Sequence, residues 1–351
     1  MKKLIALVAL ALIIAAGVAQ TQQQQKKFSL YGVGFYNLEN LFDTCHDVGH
    51  NDYQYLPDGQ YKWNGLKYTH KLRNMARVLA EMGTDRLPGV GCAMIGVSEV
   101  ENAKCLEDLC NQEPLKARDF QFCHIEGPDQ RGVDCALLYN PKMFQVRDVK
   151  LVPYIYVKPE DSLRATRGFL TVSGTLAGEH VTVIVNHLPS RFAGSFYREE
   201  GGRQIRLVKD SLLKDDPNVK LFIMGDMNDD PQDKSMAQAL GAKRKMKDVE
   251  QDGLWNPWWD VLASGTGTLQ YDGRWNLFDQ IILSRSLLDV KGKKDYSGLT
   301  YWNHQIFRRD YLFQREGKYK GNTLRTHAGG AWLDGYSDHL PTVVYIIKEQ
   351  K

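Results

Sequence analysis

The sequence predicts an α/β protein whose β-sheets are covered by helices. Nine short apolar or β-branched runs read as strands, only four segments carry helical spacing, and both kinds are spread along the whole chain. Such a distribution argues against a helical bundle and against a bare sandwich. The 351 residues are 43% hydrophobic and 25% charged, enough for a sizeable core, and no long Pro/Ser/Gly-rich linker divides them. One domain over residues 29–350 is expected.

Residues 1–20 combine two lysines, an unbroken apolar run and a small-residue exit at "GVAQ", the pattern of a cleaved export signal peptide. A retained membrane anchor is the rival reading, but the run falls short of the roughly 18 to 20 residues that span a bilayer. The first cysteine is Cys45, so none follows the run for bacterial lipoprotein attachment. Residues 21–28, in the tract "QTQQQQKK", read as a flexible connector. An exported, periplasmic or secreted protein is expected. Loss of Lys2 and Lys3 with the leader would leave 43 basic against 42 acidic residues, a balance with no global field to select a polyanion.

Strands are expected at "LYGVGFY" from residue 30, "CAMIGV" from 92, "DFQFCHIE" from 119, "DCALLYN" from 134 and "RGFLTVSGTL" from 167. Others follow at "HVTVIVN" from 180, "VKLFIMG" from 219, "DQIILS" from 279 and "LPTVVYII" from 340. Residues 66–82 place Leu72, Met75, Leu79 and Met82 on one helical face, and residues 203–213 do the same with Ile205, Val208 and Leu212. Residues 102–111 and 232–240 add two shorter helices. Residues 250–335, rich in Trp, Tyr, Gly and Arg with weak periodicity, are expected as long loops. Six cysteines permit disulfides in an exported chain, with Cys123 and Cys135, either side of a "GPDQRG" turn, as the candidate pair. The chain has no CxxC pair, which argues against a thiolate zinc site.

Strand ends carry the chemistry. "LYGVGFY" exits into Asn37 and Glu39, "AMIGVS" into Glu99, "VTVIV" into Asn186 and His187, and "KLFIMG" into Asp226 and Asn228. Two later strands reverse the order: Asp279 precedes "QIILS", and Asp338 with His339 precedes "LPTVVYII". If these two run antiparallel to the other four, all of these groups meet at one edge. Clustered carboxylates repel and raise one another's pKa, a conflict that a bound divalent cation removes. Hard oxygen ligands without a thiolate favour Mg²⁺ or Mn²⁺, and Mg²⁺ needs only one or two protein carboxylates, Glu99 first. A histidine beside a carboxylate supplies acid/base chemistry and Asn amides supply donors to a developing oxyanion, so phosphoester hydrolysis is implied.

In order, "YNLEN", "VSEVEN", "RGVDCALLY", "VNHLPSR", "GDMND", "FDQIILS" and "SDHLPTV" resemble the endonuclease/exonuclease/phosphatase superfamily, the DNase I-like fold, over residues 30–347. They are most similar to its exported bacterial members. The resemblance implies a four-layered α/β sandwich, two mainly antiparallel mixed sheets flanked by helices. It implies metal ligation by Asn37 and Glu99, with Glu39 and Asp338 as further ligands, direct or through water. Asp226 would orient or deprotonate the attacking water, and Asn228 would hold a phosphate oxygen. His339, polarised by Asp279, would face the phosphate, and His187 would stabilise the transition state or assist the leaving group. Ser98 stands where the family usually has Gln, and Met227 where it has an aromatic; both departures bear on tuning.

Arg131, Arg164, Arg167 and Arg191 are candidates for phosphate contact, since guanidinium matches its geometry. "LWNPWWD" and "YWNHQIFRRDYLF" interleave aromatics with Arg308 and Arg309, as single-stranded nucleic-acid sites do, although loop packing is the favoured reading; Arg325 and His327 are placed near the cleft. The function expected is a Mg²⁺-dependent extracytoplasmic phosphodiesterase, a nuclease acting on nucleic acid. The alternatives are a phosphomonoesterase, a sphingomyelinase-like lipid phosphodiesterase, and a non-catalytic binding protein on the same scaffold.

Overall fold

The computed structural model describes residues 26–155, 166–271 and 273–350. The expected leader, most of the connector and Arg164 lie outside the described residues. The chain runs β1 Phe28–Leu41, α1 Gly65–Glu81, β2 Cys92–Val100, α2 Ala103–Cys110, α3 Glu113–Lys116, β3 Gln121–His124, β4 Asp134–Tyr139 and β5 Phe144–Val152. Then come β6 Phe169–Leu176, β7 Glu179–His187, α4 Ser195–Asp215, β8 Lys220–Asp226, β9 Ala242–Lys243, β10 Leu254–Trp255 and α5 Trp259–Ala263. The hairpin β11 Leu269–Tyr271 and β12 Arg274–Asn276 leads to β13 Asp279–Ser284, β14 Thr300–Ile306, the small β15 His327–Ala328 and β16 Ala331–Trp332, and β17 Thr342–Glu349.

Two mixed sheets result, ordered β14-β17-β1-β2-β4-β3 and β5-β6-β7-β8-β13-β10-β9. Each is built on a parallel pair, β1 with β2 and β7 with β8, whose crossover carries a long helix, α1 or α4. β17 runs antiparallel to β1, and β13 antiparallel to β8. The chain order thus matches the requirement that strands beginning in polar residues oppose strands ending in them.

Side chains alternate with the period of two that a pleated strand imposes. Val33 and Phe35 of β1, Met94 of β2, Val181, Val183 and Val185 of β7, and Phe222 and Met224 of β8 fill the layer between the sheets. Tyr36, Ile95 and Val97 instead face α1, packing with Leu72, Met75 and Leu79. Ile184, Leu221 and Ile223 face α4 and meet Ile205. The central strands are apolar on both faces because both are covered, which gives four layers.

Eight strands escape the sequence reading: β9–β12, β15 and β16, of two or three residues each, and two longer ones. β5, "FQVRDVKLV", is an edge strand whose charged residues point to solvent, and β14, "TYWNHQI", is a polar edge strand broken by a bulge at Tyr301/Asn303. α4 starts eight residues before the expected 203. Its N-terminal turns lack an apolar stripe because Gly201 and Gly202 bring the helix against its neighbours: a Cβ on Gly201 would stand 2.6 Å from Leu188 and one on Gly202 2.4 Å from the Ser235 carbonyl. The helix expected at 232–240 is a short π-helical stretch, Ser235–Leu240, closed by Gly241 in the left-handed region. Cys123 pairs with Leu137, so Cys135 sits two places out of register and all six thiols are free. No helix of the described residues is long and apolar enough to cross a membrane.

Candidate active site

The polar strand ends converge at one rim, where the two sheets meet over a cleft of about 550 Å³. The second sheet contributes a lateral row. His187 pairs in register with Asp226 across β7 and β8, and Asp226 with Asp279 across β8 and β13. Two carboxylates directly opposite on neighbouring strands repel. The first sheet resolves this by inserting His339, whose Nδ1 lies 2.7 Å from Asp279 Oδ2 and whose Nε2 lies 3.7 Å from Asp226 Oδ2. Burial alone would lower the His339 pKa, but Asp279 and Asp226 outweigh it and hold the imidazole well above its ordinary value. His339 is therefore a cation between two acids.

Asn37 ties the sheets together. Its Nδ2 donates to Asp226 Oδ2 at 3.0 Å while its Oδ1 accepts the Glu39 N–H at 2.8 Å. Asp226 Oδ1 accepts the Asn228 N–H at 2.9 Å, so donors aim the carboxylate from two sides. Burial raises its pKa, with the charges of Asp279 and Glu99 adding to that and His339 opposing it. Asn228 also donates one amide hydrogen to the Leu188 carbonyl, leaving the second for a ligand.

Glu99 enters the cleft through a bulge. Ser98 pairs with Cys135 and Val100 with Asp134, which leaves Glu99 as the extra residue, at φ 61°. Glu39, Asn40 and Asn228 also have positive φ, of 48°, 57° and 50°. Four strained non-glycine residues around one cleft are what a site held by its surroundings shows. Glu99 Oε2 accepts the Asn40 N–H at 3.0 Å, whereas Oε1 stands 3.7 Å from both Arg131 and His187 Nε2, beyond hydrogen-bond distance. His187 is buried, its Nδ1 has no partner, and burial reinforced by Arg167, Arg131 and His339 holds its pKa well below the ordinary value. It is a neutral imidazole whose Nε2 lies between Glu99 and Asp226, 3.6 Å from the latter.

Several expected residues do other work. Glu39 lies behind the cleft, with Oε1 accepting from Arg325 Nε at 2.9 Å and Oε2 from the Thr326 N–H at 2.7 Å, so both oxygens are turned to the Arg325–Thr326 segment. Arg325 in turn holds Asp338 Oδ2 at 3.0 Å, which leaves Asp338 Oδ1 turned to His339 Nε2 at 3.9 Å. Arg167 is buried, bonding Asp129 at 2.8 Å and the His187 carbonyl at 3.2 Å, and so fixes the cleft wall instead of meeting phosphate. Arg191 is spent on Asp230 and Asp233, at 3.1 and 2.9 Å. Arg131, half exposed at the rim, keeps donors free. His327 packs on Tyr61 and Trp63 outside the cleft.

Lys71 was missed by the sequence reading. Almost fully buried on α1, it donates to Thr326 Oγ1 at 2.7 Å and to the Tyr336 carbonyl at 2.5 Å, supporting the loop that carries Arg325. Its one signal is its place four residues before Met75, on the apolar stripe. Ser98 and Met227, the two departures, are wholly buried behind the cleft.

The donor set fits a divalent cation: one unbonded carboxylate oxygen each on Glu99 and Asp338, with the Asn37 carbonyl oxygen and no thiolate. Tighter clusters of possible ligand atoms, Asp43/Glu101/Cys105, with Cys105 on α2, and Asp47/His50/Glu126, are formed by residues that do not line the cleft.

A model of the Endonuclease/Exonuclease/phosphatase family matches residues 32–348. The chain belongs to this family. No protein of curated function matches it. Among solved structures it is similar to a mannosyl-6-phosphatase of Bacteroides thetaiotaomicron VPI-5482, at 16% identity and TM-score 0.55, over 90% of this chain and 99% of that one. A second B. thetaiotaomicron endonuclease/exonuclease/phosphatase family protein gives 15%, 0.54, 92% and 100%. D. rerio TDP2 complexed with a single-strand DNA product gives 14%, 0.52, 91% and 99%. These likenesses establish the fold; members of this family hydrolyse phosphoesters.

Proposed function

We propose that the protein is a Mg²⁺- or Mn²⁺-dependent phosphodiesterase that cleaves nucleic acid outside the cytoplasm. The observation that carries this is His339 set between Asp279, 2.7 Å from its Nδ1, and Asp226, 3.7 Å from its Nε2, facing His187 and an unbonded Glu99 oxygen across one cleft. A divalent ion bound by Glu99, Asn37 and Asp338 would neutralise charge on the phosphate oxygens. Asp226, aimed by Asn37 and the Asn228 N–H, accepts a proton from the attacking water. His339 donates to a phosphate oxygen with its charge held by Asp279. His187 offers one N–H to the phosphate or leaving oxygen, and Asn228 a second donor. Arg131 at the rim meets the flanking charge.

The test is hydrolysis of bis-p-nitrophenyl phosphate and plasmid DNA. His339→Ala and Asp226→Ala should keep the fold and lose activity by about 10²–10⁴-fold, and chelation should abolish activity until Mg²⁺ or Mn²⁺ returns. Full activity in either variant, or after thorough chelation, overturns the assignment. A phosphomonoesterase is the second reading, favoured by the expected near-neutral charge and by the likeness to a mannosyl-6-phosphatase. A nuclease loses affinity steeply with salt because phosphate contacts release counterions, and a small-substrate phosphatase does not.

A further inference from the structure

A second concavity, about 670 Å³, lies beside the cleft and is walled by Arg308, Arg309, Phe313, Arg315 and Lys320, with Asp310 its one acid. Arg309 is paired with Asp85 at 2.8 Å. Arg308 is not paired with any carboxylate among the described residues. Its guanidinium stands 5.0 Å from the Trp275 ring and 4.7 Å from the Phe313 ring and donates only to Thr266 Oγ1, at 3.1 Å. Arg315 and Lys320 are exposed and have no ion-pair partner among the described residues. Stacking between rings strips water from a guanidinium yet leaves its N–H edge open, which favours an anion arriving from outside. In a protein whose basic and acidic residues nearly balance, three cations without an ion-pair partner against the single acid Asp310 give one hollow a positive local field.

The contacts of Arg308 and Phe313, two residues of this wall, lead back to the catalytic rim. Trp275 belongs to β12, which pairs with β11, and Leu269 of β11 lines the catalytic cleft and bridges to His339. Thr266, which anchors Arg308, lies two residues before Thr268, whose Oγ1 accepts the Asp279 N–H at 3.3 Å. Phe313 bridges to Thr323, whose Oγ1 donates to the Asp338 carbonyl at 3.0 Å. The hairpin and the segment before Asp338 thus tie the surroundings of the cationic hollow to residues of the catalytic rim.

We propose that this hollow is a second phosphate subsite, gripping the backbone of a nucleic-acid strand whose scissile phosphate occupies the catalytic cleft. The proposal rests on phosphoester cleavage in that cleft and adds that the substrate is a strand with several phosphates. Arg308 supplies a fixed, stacked donor edge and Arg315 and Lys320 supply point charges, so recognition is of backbone and independent of sequence.

The test compares Arg315→Ala/Lys320→Ala, two exposed positions, and separately Arg308→Gln, in two assays. Binding of a fluorescein-labelled oligothymidylate of roughly 12 residues is read by anisotropy on a His339→Ala background with Mg²⁺; hydrolysis of bis-p-nitrophenyl phosphate is read with His339 intact. Expected is a dissociation constant raised about tenfold in the double variant, with the slope of log affinity against log salt reduced by about 1.4, two contacts' worth on a single strand. Kinetics on the small substrate should stay within about twofold, because no phosphate of that substrate reaches the hollow. Equal strand binding by parent and variants overturns the proposal, and so does an equal loss on the small substrate. Hydrolysis of the small substrate without any strand binding also overturns it while leaving the catalytic reading intact. Charge-dependent strand binding without hydrolysis of any phosphoester would sink the catalytic reading alone and leave the subsite standing.

Discussion

Glu99 shows how chemistry and backbone strain are coupled in single residues. Its φ of 61° is costly for a side chain with a Cβ, and the bulge that imposes it is what carries the carboxylate into the cleft. Both Glu99→Gly and Glu99→Ala strand the Asn40 N–H and should abolish hydrolysis, but the Gly variant should be the more stable of the two by about 1 kcal/mol, measured as the urea midpoint; equal midpoints would show that the conformation is not strained. Glu39 is the contrasting case. It is buried, both oxygens are taken, and burial with the nearby Asp338 charge raises its pKa to about 7, against the opposing charges of Lys71 and Arg325. Glu39→Leu should cost about 1–3 kcal/mol by stranding the Thr326 N–H and freeing Arg325, with activity falling because Asp338 loses its anchor. Loss of activity with no change in stability would instead point to direct ligation. The motif "NLEN" does not distinguish Glu39 from Asn37, because the difference lies in what Arg325 does 286 residues later.

Between elements, the decisive packing is where β2 crosses β8. Gly96 lies in β2 three residues before Glu99, and a Cβ there would stand 2.5 Å from Met224 Sδ and 3.2 Å from Phe35. Gly96→Ala should therefore cost about 1–3 kcal/mol and lower kcat by displacing Glu99 relative to Asp226; thermal unfolding and single-turnover kinetics check both. The α1 face was legible because Leu72, Met75 and Leu79 recur at helical spacing and do meet the first sheet. β5 and β14 were not, since an edge strand buries little and must display charge or polarity, which erases the alternation that marks a strand.

For the molecule as a whole, pH acts through histidines away from the cleft. His304 is held at a pKa of about 4 by burial, with Asp260 opposing, and His327 also at about 4, by burial and the cations of Lys67, Lys71 and Arg325. At these two histidines the unfolded chain binds protons between about pH 6.5 and 4 that the folded one refuses, so their contribution to stability falls as pH falls through that window, while buried Glu39 and Glu101, raised to about 7 and about 8, contribute in the opposite direction. His304→Gln should remove one histidine's share, making the slope of the urea midpoint against pH between 7 and about 4.5 less positive than in the parent. An unchanged slope would mean that His304 titrates normally in the fold.

Most of the longer strands, the two long helices, and the set of polar residues at strand ends can be read from residue order, because hydrophobic period and polar exits are local properties of the chain. Which oxygens remain open cannot. The row His187, Asp226, Asp279 exists only through the register of three strands, and the His339 charge only through its insertion between them. Arg131, Arg167 and Arg191 look alike in sequence, yet the fold pairs Arg167 closely with Asp129 and Arg191 with Asp230 and Asp233, while Arg131 at the rim is held only loosely, 3.7 Å from Glu99 and 4.0 Å from Asp129. Pairing energy depends on distance and desolvation, and both are set by residues far apart in the chain.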